Sequence, residues 1–170
     1  QHPTRGLQKL LLGCSHQTAS SEKSFTTGIL MNSLRSDANN CFVCGPKNPI
    51  GLRLSFTIDD HDICRSQFTP AENHCGYDSL THGGIIFSAL DDVMANWLFL
   101  KGIKAFTAKC EIRYRDVLPI GTRVRLEGHC LKQKARLTQM RGLLIRENTN
   151  QVVAEAEASF MLLVDSQTNR

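Results

Sequence analysis

Residues 81–102 read THGGIIFSALDDVMANWLFLKG, and they carry the strongest structural signal in the chain. Its apolar residues recur at the spacing of one face of a helix with 3.6 residues per turn. A lysine in the last turn followed by Gly102 is a typical helix stop. The pattern therefore predicts one long apolar helix over residues 83–100. Its apolar face consists of Ile86, Leu90, Val93, Met94 and Trp97.

The segments on either side of this helix alternate apolar and polar residues, which is the period of half-buried β-strands. Two segments before the helix predict a hairpin, and four after it, separated by short turn sequences, predict an antiparallel meander. A curved antiparallel sheet wrapped around the one long central helix buries the apolar faces of both. This α+β arrangement is the hotdog fold. The predicted strands span residues 52–58 and 63–68 before the helix, and 106–118, 123–132, 136–146 and 152–164 after it.

Length and composition limit the possible functions. The chain has 170 residues, 41% hydrophobic and 21% charged, enough for one buried core. Its apolar runs are far shorter than the roughly 18 residues that indicate a membrane span. The net charge of +4 suits anionic small molecules, but charges of both signs alternate along the strands, so we expect no nucleic acid partner. The seven cysteines show no disulfide framework and favour a reducing compartment, for which we expect the cytoplasm.

The chain divides into three predicted parts. Residues 1–40 are rich in Ser, Thr, Asn and Gln and show no stable period, so we expect a disordered or loosely ordered extension. Two origins stay open for it: the scarcity of acidic residues suits an organelle transit peptide, and Met31 could be the natural start. Residues 41–165 form the predicted single domain, and residues 166–170 form a short tail.

The sharpest chemical signal is the run Thr81-His82-Gly83-Gly84 at the start of the predicted helix. Glycines let a ligand approach the backbone closely. The first-turn N–H groups have no partner inside the helix and lie at the positive end of its dipole, so they suit a developing oxyanion. The alternative is that the glycines only allow a tight loop to lead into the helix.

Asp91 is the second signal, because it falls near the apolar face of the same helix, one turn from Ser88. Aspartate is a poor helix former and its unpaired burial is costly, so this position favours a catalytic carboxylate. The alternative is a buried hydrogen-bonding residue at an interface. Asp92 turns further round the helix, where we expect it to be solvated.

Several short motifs lie along residues 41–164. They are CFVCGPKNPIGL at 41–52, His74, Gly76-Tyr77, His82-Gly83-Gly84 with Asp91, and Pro119-Ile120-Gly121. Together they resemble the hotdog thioesterases of the phenylacetate-degradation type. The resemblance implies a hydrolase that cleaves acyl-CoA thioesters without a cofactor. It also implies a homodimer, or a homotetramer built as a dimer of dimers, whose active sites draw on two subunits.

The same resemblance implies roles for single residues. The backbone N–H of Gly83 would bind the thioester oxygen, and Asp91 would act as general base toward water or as direct nucleophile. Thr107 would orient the attacking water, and His82 would shape the loop. The residues expected to contact substrate in this region are His74, Cys75, Gly76, Gly84 and Ser88.

Cysteines raise two further hypotheses. Cys75 follows His74 where many such thioesterases carry glutamine or asparagine, and a thiol is only a weak hydrogen-bond donor. Adjacent residues rarely point at each other, so a Cys75–His74 nucleophile pair is disfavoured. Cys41-x-x-Cys44 has the spacing of half a zinc knuckle, but no second pair follows at a usual distance. We therefore expect no metal; in a metal site, His74 or Cys75 would be the completing ligands.

Basic residues provide candidate contacts for the phosphates of CoA. Arg113 and Arg115 lie on one predicted strand, and Lys132, Lys134 and Arg136 lie around a hairpin. Such side chains neutralise phosphates by point-charge or bidentate contacts. The alternative for each of them is an ordinary solvated face.

The main alternative function is a non-catalytic hotdog module that binds acyl-CoA or serves as an assembly partner. A hotdog dehydratase or hydratase fits poorly, because His82 lies in a glycine turn rather than in a position to remove a proton. Asp91 together with Thr107 favours the hydrolase, since a binding module needs no carboxylate aimed at the acyl carbonyl.

Overall fold

Helix α1 (Gly83–Phe99) packs against a six-stranded antiparallel sheet, as the sequence predicts. The computed structural model describes residues 38–163, so the predicted tail and most of the predicted extension lie outside the described residues. The remaining elements are β1 (Thr57–Ile58), β2 (Cys64–Phe68), a 3-10 helix (Glu72–His74), β3 (Cys75–Tyr77), β4 (Leu80–Thr81), β5 (Ala105–Tyr114), β6 (Val124–Lys134), β7 (Leu137–Arg146) and β8 (Val152–Leu162).

The strand order in the main sheet is β1-β2-β6-β7-β8-β5, and β3 pairs with β4 in a separate small hairpin. Strands β6 to β8 form the predicted meander, but the prediction is wrong for β5, which pairs with β8. The edge of β6 that β5 would need is occupied by β2. The connection at 115–123 also passes beside β4, where the Thr81 N–H donates to the Leu118 carbonyl (2.8 Å), instead of forming a tight turn.

The first predicted strand is shorter than its sequence pattern suggests. Only Thr57 and Ile58 pair with β2, whereas the alternation predicts a strand over 52–58. The Leu52 N–H donates to the Phe42 carbonyl (2.8 Å) and the Leu54 N–H to the Val43 carbonyl (2.9 Å). The alternating residues therefore bury one face of an extended segment that pairs with the Cys41–Cys44 region rather than with β2.

The core lies between α1 and the sheet, and two glycines of the sheet leave no room for a side chain against the helix. The helix packs against β2, β5, β6, β7 and β8. A β-carbon at Gly128 of β6 would lie 2.6 Å from the backbone oxygen of Val93, well inside van der Waals contact. A β-carbon at Gly142 of β7 would lie 3.2 Å from the Leu90 side chain. The residues of α1 that are buried in this layer are Ile86, Ala89, Leu90, Val93, Met94, Asn96, Trp97 and Leu98.

Two further features of residues 38–163 bear on the sequence predictions. No helix in this range has the length and apolar character needed to cross a membrane. None of the six cysteines of this range forms a disulfide.

Candidate active site

The first turn of α1 is shaped by His82, which caps the helix. Its Nδ1 accepts a hydrogen bond from the Gly84 N–H (2.8 Å), and its carbonyl accepts from the N–H groups of Ile85 (3.0 Å) and Ile86 (3.3 Å). The Gly83 N–H has no acceptor among the described residues. Of the first-turn N–H groups, which lie at the positive end of the helix dipole, that of Gly83 is therefore the one without an acceptor among the described residues.

Tyr114, at the end of β5, holds this turn in place. Its hydroxyl donates to the Gly83 carbonyl (2.8 Å), and a β-carbon at Gly83 would lie 3.2 Å from the Tyr114 hydroxyl oxygen. Burial is the main factor that raises the pKa of Tyr114, and the charge of Cys110 adds to it. The phenol therefore stays a hydrogen-bond donor. The sequence offers no signal for this contact, because 31 residues separate its partners and no local period links them.

An open pocket of about 460 Å³ lies at this end of the helix. Its walls are mainly apolar, with a few polar residues that include His82, Tyr114 and Asp116, the composition of a small-molecule site. The lining residues are Gly76, Tyr77, Leu80, Thr81, His82, Gly83, Ile86, Tyr114, Asp116, Val117 and Leu118.

Asp91 lies half-buried in the middle of α1, where the Thr107 hydroxyl donates to its Oδ1 (2.8 Å). Burial raises the pKa of the Asp91 carboxyl, and the Thr107 hydrogen bond partly opposes that rise. Thr107 stands at a bulge in β5, where the ladder with β8 skips one residue. The structure thus brings together the two side chains that the resemblance pairs in the reaction.

Cys110 is a neighbour of Asp91 that the sequence did not single out. Burial, together with the charge of Asp91, raises the pKa of its thiol to about 11. The thiol therefore stays protonated at neutral pH and is a poor nucleophile.

Gly83 and Asp91 do not meet within one chain. They are eight residues apart on the same helix, which at 1.5 Å per residue places them about 12 Å apart along its axis. A single acyl carbonyl therefore cannot accept a hydrogen bond from the Gly83 N–H and lie within reach of the Asp91 carboxylate of the same chain.

The loop before α1 gives His74 a structural role. Its Nδ1 accepts from the Ala71 N–H (2.9 Å), its ring centroid lies 5.5 Å from that of Phe68, and its carbonyl accepts from the His82 N–H (2.8 Å). Burial lowers the pKa of the His74 imidazole. The residue thus anchors the loop that carries His82.

The other residues predicted to contact substrate lie in different parts of the structure. Gly76 lies against His82, since a β-carbon there would be 3.1 Å from the His82 Cα, and it lines the pocket. Cys75 is half-buried and pairs with Thr81 in the β3–β4 hairpin. The hydroxyl of Ser88 donates to the Gly84 carbonyl (2.8 Å), so it is engaged within the helix.

The basic residues proposed for CoA phosphates form two separate groups. The strand register gives their relative positions: Lys132 of β6 pairs with Gln139 of β7, which pairs with Ser159 of β8, which pairs with Lys109 of β5. Lys132 and Lys109 therefore lie at the same height in the sheet. Arg113 is four residues further along β5, a distance of roughly 13 Å at 3.3 Å per residue. Arg115 forms an ion pair with Glu155, whereas Arg113 forms none among the described residues. Within one chain, the structure therefore does not place the arginines beside Lys132 and Lys134.

Asp92 is not solvated as the sequence suggested. It is half-buried, and its Oδ2 accepts from Nδ2 of the buried Asn96 (2.9 Å). Asp92 also lies beside Cys41 and Cys44. The sequence pattern missed this because the segment at 41–44 covers that face of the helix.

Comparison with known families points to one superfamily. The sequence profile of the thioesterase superfamily matches residues 79–153, the range that includes α1 and both Asp91 and Thr107. No curated protein matches the sequence.

Solved structures share the fold at low identity. A thioesterase superfamily protein has a TM-score of 0.66 and 23% identity, covering 70% of this chain and 61% of its own. A Streptococcus mutans protein bound to acetyl-CoA has a TM-score of 0.60 and 17% identity, and the match covers 65% of this chain and 88% of that protein. A mutant of a phenylacetic acid degradation protein from Thermus thermophilus has a TM-score of 0.59 and 20% identity, covering 66% and 95%. These likenesses establish the hotdog fold of this chain.

Proposed function

We propose that this hotdog chain hydrolyses an acyl-CoA thioester to a free acid and CoA. The observation that carries the proposal is the half-buried Asp91 carboxylate with its Oδ1 held by the Thr107 hydroxyl. A carboxylate oriented in this way is what thioester hydrolysis needs, and a binding module has no use for it. The match to the thioesterase superfamily supports a thioesterase activity, and the acetyl-CoA bound by the Streptococcus mutans protein supports a CoA ester as substrate.

In the proposed reaction, Gly83 and Asp91 have different tasks. The Gly83 N–H stabilises the oxyanion as the acyl carbonyl is attacked. Asp91 either removes a proton from water, whose oxygen then attacks the carbonyl carbon, or attacks that carbon itself and is later released by water. In both routes the carbon–sulfur bond breaks and the CoA sulfur leaves as a thiolate that takes up a proton. Thr107, whose oxygen can accept from water while its proton is donated to Asp91, orients the water.

The separation of about 12 Å between Gly83 and Asp91 along one helix supports a site shared by two subunits. One chain then supplies the oxyanion donor and a second chain supplies the carboxylate. Strand β5 provides an edge for such a pairing, because among the described strands it is bonded only to β8. Long unpaired edges are normally covered, and two apolar residues of β5, Phe106 (53% exposed) and Tyr114 (48% exposed), lie open on it.

We expect the purified protein to be a dimer or a dimer of dimers by light scattering, because a monomer would lack a complete site. Its specific activity should fall on dilution in parallel with the fraction of assembled protein. A monomeric protein with full turnover at micromolar concentration would rule out the shared site.

The hydrolysis of acyl-CoA esters tests the function directly. We expect the release of CoA, detected with a thiol-reactive dye, from at least one member of a panel of short, long and aromatic acyl-CoA esters. The chain length accepted depends on residues that meet across the subunit interface. Calorimetric binding of the same esters without release of CoA would instead identify a binding module, the second candidate function.

A further inference from the structure

The Cys41-Phe42-Val43-Cys44-Gly45 turn brings two thiols together on one side. The Gly45 N–H donates to the Cys41 carbonyl (3.0 Å), and the Cys44 thiol donates to the Cys41 sulfur at 3.2 Å. A β-carbon at Gly45 would lie 2.4 Å from the Cys41 nitrogen, so the turn requires glycine at this position. A tight turn with two cysteines three residues apart and a following glycine is half of a tetrahedral thiolate site.

A third ligand comes from the middle of α1. The carboxylate of Asp92 and the sulfurs of Cys41 and Cys44 all lie within 4.8 Å of one another. The Oδ2 atom of Asp92 accepts from the Asn96 side chain, which also donates to the Asp92 carbonyl (2.7 Å). Asn96 is buried and fixed by these contacts, so it orients the carboxylate as outer residues orient metal ligands.

We propose that Cys41, Cys44 and Asp92 bind a zinc ion that joins the N-terminal turn to the central helix. Two sulfurs and one carboxylate oxygen suit the borderline-soft Zn²⁺, whereas Mg²⁺ and Ca²⁺ prefer oxygen alone, and iron–sulfur clusters typically require four cysteines. A solvent molecule or one further side chain completes the tetrahedron. Binding displaces both thiol protons, including the one now shared between the sulfurs.

The geometry needs only a small adjustment to hold the ion. Sulfurs about 2.3 Å from a tetrahedral zinc lie roughly 3.8 Å apart, so the present pair, at 3.2 Å, opens slightly. The sequence alone predicted no metal, because the spacing offered two ligands and nothing local to complete them. The third ligand stands 48 residues after Cys44, on the helix that this turn covers.

Metal content and a cobalt spectrum test the proposal without using activity. The full-length protein, purified with a reductant and without a chelator, should contain one zinc per chain by mass spectrometry of the metal. After the zinc is stripped, added Co²⁺ should give the visible bands of a tetrahedral site and a thiolate charge-transfer band. Cys44→Ser should abolish that band, and Asp92→Asn should weaken zinc binding by at least about tenfold, because each removes a ligand.

Cys130→Ser is the matched control, because Cys130 is a half-buried free thiol on β6 outside the cluster, and it should retain zinc. Asp92→Asn is nearly isosteric, so it remains informative if Cys44→Ser fails to fold. Reduced protein that binds neither Zn²⁺ nor Co²⁺, or a Cys41–Cys44 disulfide that forms while metal does not bind, would overturn the site. Unchanged zinc affinity in Asp92→Asn would remove Asp92 from it.

Discussion

Asp91→Asn should lower kcat for acyl-CoA hydrolysis by a factor on the order of 10² or more while leaving the fold and acyl-CoA binding intact. The amide is nearly the size of the carboxylate and can still accept from the Thr107 hydroxyl, so the contact at 2.8 Å survives. An amide can neither take a proton from water nor attack the thioester. Steady-state kinetics with the best ester of the panel, together with calorimetric binding, measure the two quantities separately.

Two further variants calibrate this result. Asp60→Asn makes the same chemical change at an exposed turn remote in sequence from the helix and should leave kcat unchanged. Thr107→Ala should give a smaller loss than Asp91→Asn, because water still reaches the thioester but is less well oriented. Wild-type turnover in Asp91→Asn would mean that the carboxylate is structural, and the binding-module hypothesis would then take precedence.

Gly128→Ala should destabilise the protein by about 3 kcal/mol, because the added methyl group has no space against the helix. Its β-carbon would lie 2.6 Å from the Val93 carbonyl oxygen and 3.0 Å from its carbon, and both are backbone atoms that cannot turn away. The helix would have to move off β6, which opens the core on both sides of the contact. Urea unfolding followed by circular dichroism measures the change in the free energy of unfolding.

Gly142→Ala provides the comparison on the neighbouring strand. There the nearest atoms are a Leu90 methyl group at 3.2 Å and the Leu90 carbonyl oxygen at 3.3 Å, so even the shortest contact is 0.6 Å longer than the one at Gly128. Replacing glycine in a strand also recovers roughly 0.5–1 kcal/mol of backbone entropy. We therefore expect a much smaller loss for Gly142→Ala, and equal stability of the two variants would contradict the close approach at Gly128.

Local patterns predicted a large part of the molecule. The spacing of Leu90, Met94 and Trp97 specified the helix because a helical period is visible within one stretch of chain. Strands β6, β7 and β8 were predicted by alternation and by the turns between them, where neighbours in sequence are neighbours in the sheet. The place of Asp91 on the helix also followed from this periodicity.

Other features arise only where distant segments meet. The pairing of β5 with β8 depends on which sheet edge is left after β2 occupies β6, and no local period encodes that choice. The same topology sets Tyr114 against Gly83.

Periodicity and residue chemistry act over a few residues, so the amino-acid sequence was enough to predict the helix, most strands and the position of the candidate catalytic carboxylate. Three other features became visible only in the folded chain: the strand that lies at the sheet edge, the hydrogen bond of 2.8 Å between Thr107 and Asp91, and the position of Asp92 beside Cys41 and Cys44. Each of these depends on contacts between residues far apart in the chain. Such contacts form where the packing of the whole core brings the segments together.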